Sequence, residues 1–370
     1  MSNKKYAIVL VICTAILIII GHVMIYSASN YVAQKDFGDG LYHVKKQILG
    51  LVAGIAFTIF LYFLKTDTLD KLKWVIMAFS TILMLLVFVP GIGVESYGAK
   101  RWINLGFTTI QPSEIMKFAL VIFIAGYIKD KKCDKWKVIL TVLAIGGGVA
   151  LLLLMQPNMS ITICVFGVVF IMLIVGGIKI KQLLLLVIPF LFGVVLLILI
   201  EPYRLERLLA FIDPWQSPKD EGYQLIQSYY AIGSGGLFGV GLFNSRQKYL
   251  FLPFAESDFI FSVICEELGF VGAVVIIAIY LAVVYCGIII ASKSTSQFDC
   301  YLATGTTSVI AVQTLINVAV VSGSIPPTGV PLPFMSAGGT SLMVFMGAVG
   351  ILLNISKKDK TSIRKSLIKN

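Results

Sequence analysis

Ten separate stretches of this chain are apolar for long enough to cross a membrane, and that pattern limits the fold more than any motif does. They run approximately over 6–27, 47–64, 74–90, 112–128, 138–155, 161–177, 183–201, 258–290, 300–322 and 338–355. Each is sized for the ~30 Å of hydrocarbon in a bilayer, where backbone polar groups must find partners inside the span. Composition agrees: 58% of the 370 residues are hydrophobic and 13% charged, too apolar a surface for a soluble protein of this size. The expected fold is an all-α polytopic membrane protein, a single membrane domain over 1–370 with ten transmembrane helices.

An even number of spans puts both termini on one side. With the N-terminus cytoplasmic, the inside segments carry 19 Lys and Arg and the outside ones 10, dominated by KDKKCDKWK (129–137) and the tail at about 356–370. The short-loop charge rule therefore places both termini in the cytoplasm. The net charge of +11 is read as topology and anionic lipid, with no nucleic acid partner. Residues 1–5 lead into a run without a small-residue cleavage site, as expected of a retained first helix. Cys13, Cys133, Cys164, Cys265, Cys286 and Cys300 avoid the outside loops and show no metal-ligand spacing, so neither disulfides nor a metal–thiolate site is expected. No internal repeat is visible, which weighs mildly against a pseudosymmetric transporter.

The outside segments, 28–46, 91–111, 202–257 and 323–339, hold the unusual material. The large loop between the seventh and eighth runs ends at Asp258, an acid placed where desolvation is expensive. It follows Glu256 and Ser257, and Glu266 and Glu267 come about two turns later. Ser257 or Asp258 as a helix cap, favoured by the macrodipole, is one reading, and a functional carboxylate is the other. Lys100 and Arg101 flank Trp102, an aromatic-belt anchor in the ordinary case. Pro112-Ser113-Glu114 opens a helix on which Glu114 and Lys117 share a face, either as a structural ion pair or lining a polar cavity.

Within 202–257, LERLLAFI reads as an interfacial helix and DPW as a turn. GSGGLFGVG (233–241) reads as a flexible glycine-rich segment that matches neither nucleotide fingerprint. The prolines and glycines of 323–339 imply a fixed, non-helical shape held against protein or a watery cavity.

Five motifs in order resemble the SEDS family (shape, elongation, division and sporulation; the FtsW, RodA and SpoVE proteins). They are GAKRWINLG (98–106), QPSE with Lys117, IDPWQSPKDEGYQ (212–224), NSRQKY followed by LP-x-A-x-S-DFIF-x-x-x-x-EELG, and Asn317 with SGSIPPTGVPLPFMSAGGTSL (322–342). The match covers nearly the whole chain, and NSRQKY and the short tails look more like the FtsW/SpoVE branch. Three positions depart from the family pattern. Phe254 stands where the family has Glu, Asn158 where it has Asp, and Ala337 where Tyr is common.

The resemblance implies a peptidoglycan glycosyltransferase that polymerises lipid II at the outer face of the bacterial cytoplasmic membrane, releasing undecaprenyl diphosphate during division or sporulation. The family's essential carboxylate matches Asp258, its sensitive Trp matches Trp102, and its membrane acid and base match Glu114 and Lys117. Asp258 suits a general base, since a sugar hydroxyl is a poor nucleophile. Arg101, Arg204, Arg207, Arg246 and Lys248 are candidate cations for the leaving pyrophosphate, with Lys100, Asn317 and Ser336 added to the expected substrate-binding set. No ligand cluster specifies a metal, although a divalent cation, Mg or Mn, bridging the pyrophosphate is compatible with the chemistry. Expected partners are lipid II and nascent glycan, a class B penicillin-binding protein that cross-links the product, and other divisome or sporulation proteins. A lipid II flippase, using Glu114, Lys117, Glu266 and Glu267 as a polar path, and a non-catalytic scaffold are the competing functions.

Overall fold

The computed structural model describes residues 3–96, 99–106, 108–131, 133–200 and 202–358, with the side chains of 96, 190, 191, 194, 196–200 and 202–204 outside that description. Each apolar run falls on one helix. In chain order these are α1 (Asn3–Phe37), α2 (Tyr42–Phe63), the short amphipathic α3 (Thr66–Lys71), α4 (Lys73–Leu86), α5 (Pro112–Ile128), α6 (Trp136–Met155), α7 (Met159–Val175) and α8 (Ile180–Ile200). After the large loop come α11 (Ile260–Ser292), α12 (Gln297–Val321) and α13 (Gly339–Lys357). Within the loop lie α9 (Pro202–Ile212), at the expected interfacial segment, and α10 (Tyr223–Gly235). The tail beyond 358 lies outside the described residues.

Six helices, α1, α2, α6, α11, α12 and α13, are long and apolar enough to cross a membrane, so the chain is a multi-pass membrane protein. The other four runs differ for identifiable reasons. α4 has 14 residues and α7 has 17, a rise of about 21–26 Å at 1.5 Å per residue. α5 also has 17 residues and carries two charges, and α8 contains Pro189. α5 is buried on nearly every face, so its ionisable groups meet protein and not lipid.

α13 packs along α2, where a Cβ on Gly50 would come within 2.5 Å of Gly339 Cα. Small residues let the two backbones approach this closely. α13 is the inner partner, with 83% of its most apolar window buried against 22% for α2.

Two features depart from the sequence reading. The expectation of an all-α chain fails at the second outside loop. There β1 (Gly93–Ser96), β2 (Ala99–Asn104) and β3 (Thr109–Ile110) form a three-stranded antiparallel sheet. The alternation in AKRWIN puts Ala99 and Ile103 inside and leaves Lys100 exposed. The strands are too short to announce themselves by composition.

The glycine-rich segment is the other correction, because it is bonded and not free. α11 is broken at Gly269, where φ is +69°. The Glu266 and Glu267 carbonyls accept from the amides of Val240 (2.9 Å) and Gly241 (3.1 Å). In return, Phe270 and Val271 donate to the carbonyls of Gly236 (2.9 Å) and Leu237 (3.1 Å). A Cβ on Gly235 would lie 2.0 Å from the Cys265 carbonyl oxygen, so glycine is needed for this close approach.

Candidate active site

Asp258 sits immediately before α11, but neither it nor Ser257 caps that helix. The cap position is Phe259, and no side chain bonds there. The chain reaches this point through a turn in which the amides of Ser257 (3.1 Å) and Phe259 (3.2 Å) both donate to the Phe254 carbonyl. Three consecutive carbonyls are then taken by the segment around the last outside loop. Glu256 O accepts from the Ala337 amide (2.9 Å), Ser257 O from Ser336 Oγ (2.6 Å), and Asp258 O from Asn317 Nδ2 (2.8 Å). The backbone under Asp258 is thereby fixed while its carboxylate accepts no hydrogen bond among the described residues.

The opposite wall is backbone. A Cβ added to Gly329 would lie 2.7 Å from Asp258 Oδ2, so any larger residue there would make the carboxylate shift. Asp258 is half-buried, and its pKa is raised from 3.8 to about 7. Desolvation is the largest cause and the Glu256 charge adds to it, while Arg101 pulls the other way. A carboxyl balanced near neutrality suits proton transfer.

Buried amides hold the 323–339 loop in place. Gln47 on α2 donates to Ser336 O (3.2 Å) and accepts from the Gly338 amide (2.9 Å). Ser336 Oγ accepts from the Leu332 amide at 2.7 Å. Asn317 also donates to Val330 O (2.7 Å), and Gln313 donates to Pro331 O (2.8 Å). Sequence reasoning passed over Gln47, Gln313 and Gly329. The signal for both glutamines was available, since a primary amide in an apolar run needs a partner as an acid does.

Glu114 and Lys117 form an ion pair of 2.9 Å, both essentially fully buried. Ser341 donates to Glu114 Oε2 at 3.2 Å, Lys117 also donates to Gln313 Oε1, and the Phe345 ring lies 5.2 Å from the ammonium. A second saturated cluster lies below Asp258 on α11. Glu267 accepts from Ser27 Oγ (2.6 Å), the amides of Phe243 (3.0 Å) and Ser245 (3.2 Å), and Lys248 Nζ (3.2 Å). Glu266 accepts from Ser245 Oγ and the amides of Arg246 (2.9 Å) and Gln247 (3.4 Å). The NSRQKY motif is thus a loop wound around two carboxylates.

These contacts sort the basic residues. Lys248 is turned inward and spends its charge on Glu267. Arg207 pairs with Glu221 at 3.2 Å and reaches Pro327 O at 3.5 Å, tying α9 to the proline-rich loop. Arg101 donates to the Gln156 and Pro157 carbonyls while still acting electrostatically on Asp258. Lys100 and Arg246 are exposed, and Arg246 edges a cavity of about 540 Å³ that Asp258 does not line. Trp102 is half-buried on β2, opposite Val94. The side chain of Arg204 lies outside the described residues. No three His, Cys, Asp or Glu come together as a metal cage among the described residues.

Each departure from the family pattern falls where the backbone carries the contact or a like cap replaces it. Phe254 serves through its carbonyl and Ala337 through its amide. Asn158 caps α7 by accepting from the Ile161 amide at 3.4 Å, as Asp would.

Comparison with known proteins agrees with this architecture. The FtsW/RodA/SpoVE family model, described as "cell cycle protein", matches residues 7–361. Stage V sporulation protein E of Bacillus subtilis strain 168 is 38% identical over 364 residues, covering 96% of this chain and 99% of that protein. A probable peptidoglycan glycosyltransferase FtsW of Geobacter sp. strain M18 is 39% identical over 363 residues, covering 96% and 98%. A chain solved in work on the structural coordination of polymerization and crosslinking by a peptidoglycan synthase complex superposes with a TM-score of 0.78. It is 28% identical, with 94% of this chain and 96% of that one covered. The rod shape determining protein RodA of Thermus thermophilus shares the fold at a TM-score of 0.69 and 24% identity, with 95% and 96% covered. The chain belongs to the FtsW/RodA/SpoVE family.

Proposed function

We propose that this protein is a peptidoglycan glycosyltransferase that polymerises lipid II at the outer face of the cytoplasmic membrane, with Asp258 as its general base. The observation that carries the role of Asp258 is a contrast. Its backbone is pinned at three carbonyls while its carboxylate is left unbonded among the described residues and titrates near neutrality. The acceptor sugar's 4-hydroxyl oxygen attacks the anomeric carbon bearing pyrophosphate, and its proton passes to Asp258. The bond from anomeric carbon to phosphate oxygen breaks, and undecaprenyl diphosphate leaves with the electron pair. Attack from the face opposite the leaving group inverts an α-linked donor to a β-linked product. The departing charge calls for cations more than for a second acid. Among the described candidates Arg246 and Lys100 are exposed, and Arg101 lies close enough to act on the Asp258 charge. The described residues build no metal cage, so no step is assigned to Mg or Mn.

In this reading the chain is one membrane domain with ten helices across the bilayer, both termini in the cytoplasm, and 202–257 outside. Its product is cross-linked by a class B penicillin-binding protein, in division or sporulation. The groups a flippase path would use are already spent, Glu114 and Lys117 on each other and Glu266 and Glu267 on the NSRQKY loop. Purified protein with lipid II in detergent, alone and with its transpeptidase, tests the reading. An enzyme makes glycan that Asp258→Asn does not make, a flippase needs a vesicle, and a scaffold makes none.

A further inference from the structure

The buried ion pair and the loop backbone beside Asp258 meet at a single side chain. Gln313 on α12 accepts from Lys117, the cation of the buried pair on α5, through Oε1. Its other amide atom, Nε2, donates to Pro331 O at 2.8 Å. Pro331 is two residues from Gly329, the backbone against which the Asp258 carboxylate rests. One turn along α12, Asn317 holds the neighbouring carbonyl of Val330 and the carbonyl of Asp258 itself. The same loop backbone is therefore gripped by two adjacent turns of α12. Gln313 is fully buried and both its amide atoms are used.

A primary amide is the group that fits this place. Lys117 needs an acceptor and Pro331 offers only an acceptor, so the residue between them must accept at one atom and donate at the other. Glutamate can satisfy Lys117 but presents no donor to Pro331, and leucine satisfies neither.

We propose that Gln313 is a positioning residue for glycosyl transfer: it uses the Glu114–Lys117 pair as a fixed anchor and holds the 329–331 backbone at the distance from Asp258 that proton transfer requires. The proposal rests on Asp258 being the base. It assigns the membrane pair a part in that site: the charges lie away from the reacting atoms and act through α12. The fall in rate belongs to the chemical step, because Gln313 is fully buried and acts through the backbone beside Asp258, and a misplaced catalytic group can cost ~10²-fold.

The test uses the full-length protein in detergent with lipid II, measuring kcat, KM and thermal unfolding for wild type, Asp258→Asn, Gln313→Leu and Gln313→Glu. Gln313→Glu keeps an acceptor for Lys117 and loses the bond to Pro331 while adding a buried carboxylate, and Gln313→Leu loses both bonds without adding a charge, so a rate loss shared by the two is the loss of the Pro331 bond. The expected result is a kcat lowered at least about tenfold in both Gln313 variants, with KM within about threefold of wild type. The pH dependence of the residual rate should also shift its midpoint, since Asp258 is faced by Glu256 and Arg101 and a loosened 329–331 wall changes its exposure. Both variants should unfold at a lower temperature, Gln313→Glu the more so because it adds a buried charge beside Glu114, so kcat is taken per folded protein. If Gln313→Glu polymerises as wild type does, or if the loss in either variant simply follows the folded fraction, the positioning role is wrong. That outcome leaves the base assignment standing, provided that Asp258→Asn is inactive beside it. If Asp258→Asn is active, the base assignment falls and this inference falls with it.

Discussion

Glu114 and Asp258 are carboxylates that flank the same proline-rich loop, and they are treated in opposite ways. Glu114 is fully buried and satisfied at both oxygens, by Lys117 at 2.9 Å and Ser341 at 3.2 Å. Asp258 is half-buried, and its carboxylate has no hydrogen-bond donor among the described residues, although three carbonyls of its own backbone segment are held. Glu266 and Glu267 follow the pattern of Glu114, each collecting backbone amides and a hydroxyl. Burial thus does not tell a structural acid from a working one here. The distinction is whether the fold provides donors: the oxygens of Glu114, Glu266 and Glu267 are taken up by protein partners, and those of Asp258 are left open to a ligand.

The largest expected effect lies on the unbonded side. Asp258→Asn keeps the shape and removes the proton acceptor, so polymerisation should fall at least about a hundredfold. Its thermal stability at neutral pH should be equal or higher, since the substitution removes a charge whose burial is unfavourable. Polymer within a fewfold of wild type would place Asp258 in the same class as Glu114.

The saturated side should respond in stability instead. Glu114→Ala or Lys117→Ala alone strands a buried charge, a loss of roughly 3–5 kcal/mol, whereas the double variant removes both charges and should lose less than the sum. Folded yield and thermal unfolding in detergent measure this. Simple additivity would mean that the pair is not the unit it looks to be.

Titration sharpens the contrast further. Because Asp258 titrates near 7 and works ionised, activity should rise with pH to a plateau above about 7. Glu256→Gln removes a charge that raises this pKa, so the midpoint should move down and activity at pH 6 should improve relative to the plateau. The stability consequence has the opposite sign. The folded state holds the Asp258 proton more tightly than the unfolded chain does, so this group's contribution declines as pH rises from about 4 to about 7 and is constant above. Asp258→Asn should flatten that part of the curve. A wild-type pH–rate profile flat from pH 5 to 9 would sink the assignment.

The smallest effect should come from Gly329→Ala. The added methyl lies 2.7 Å from Asp258 Oδ2, and the carboxylate can rotate away, so activity should fall several-fold to about tenfold with stability nearly unchanged. Wild-type turnover would show that the wall at 329 does not matter.

The membrane class, a helix at each apolar run, the shared face of Glu114 and Lys117, and an acid at the head of α11 were all legible in the amino-acid sequence. Each of these is a matter of local chemistry. Hydrophobic runs must be helical in lipid, residues three apart share a helix face, and an acid at a bilayer boundary stands out against its neighbours. It took the folded chain to show that Asp258 is not a cap, that the glycine-rich segment bonds to the broken α11, and that the second outside loop holds the strands β1, β2 and β3. The same is true of Gln47 and Gln313, which bond to partners 289 and 18 residues away, with Lys117 a further 196 residues from Gln313. A hydrogen bond between distant segments leaves no periodicity in either one. Its existence depends on two backbones being brought within about 3 Å, and packing of the whole helix bundle sets that distance.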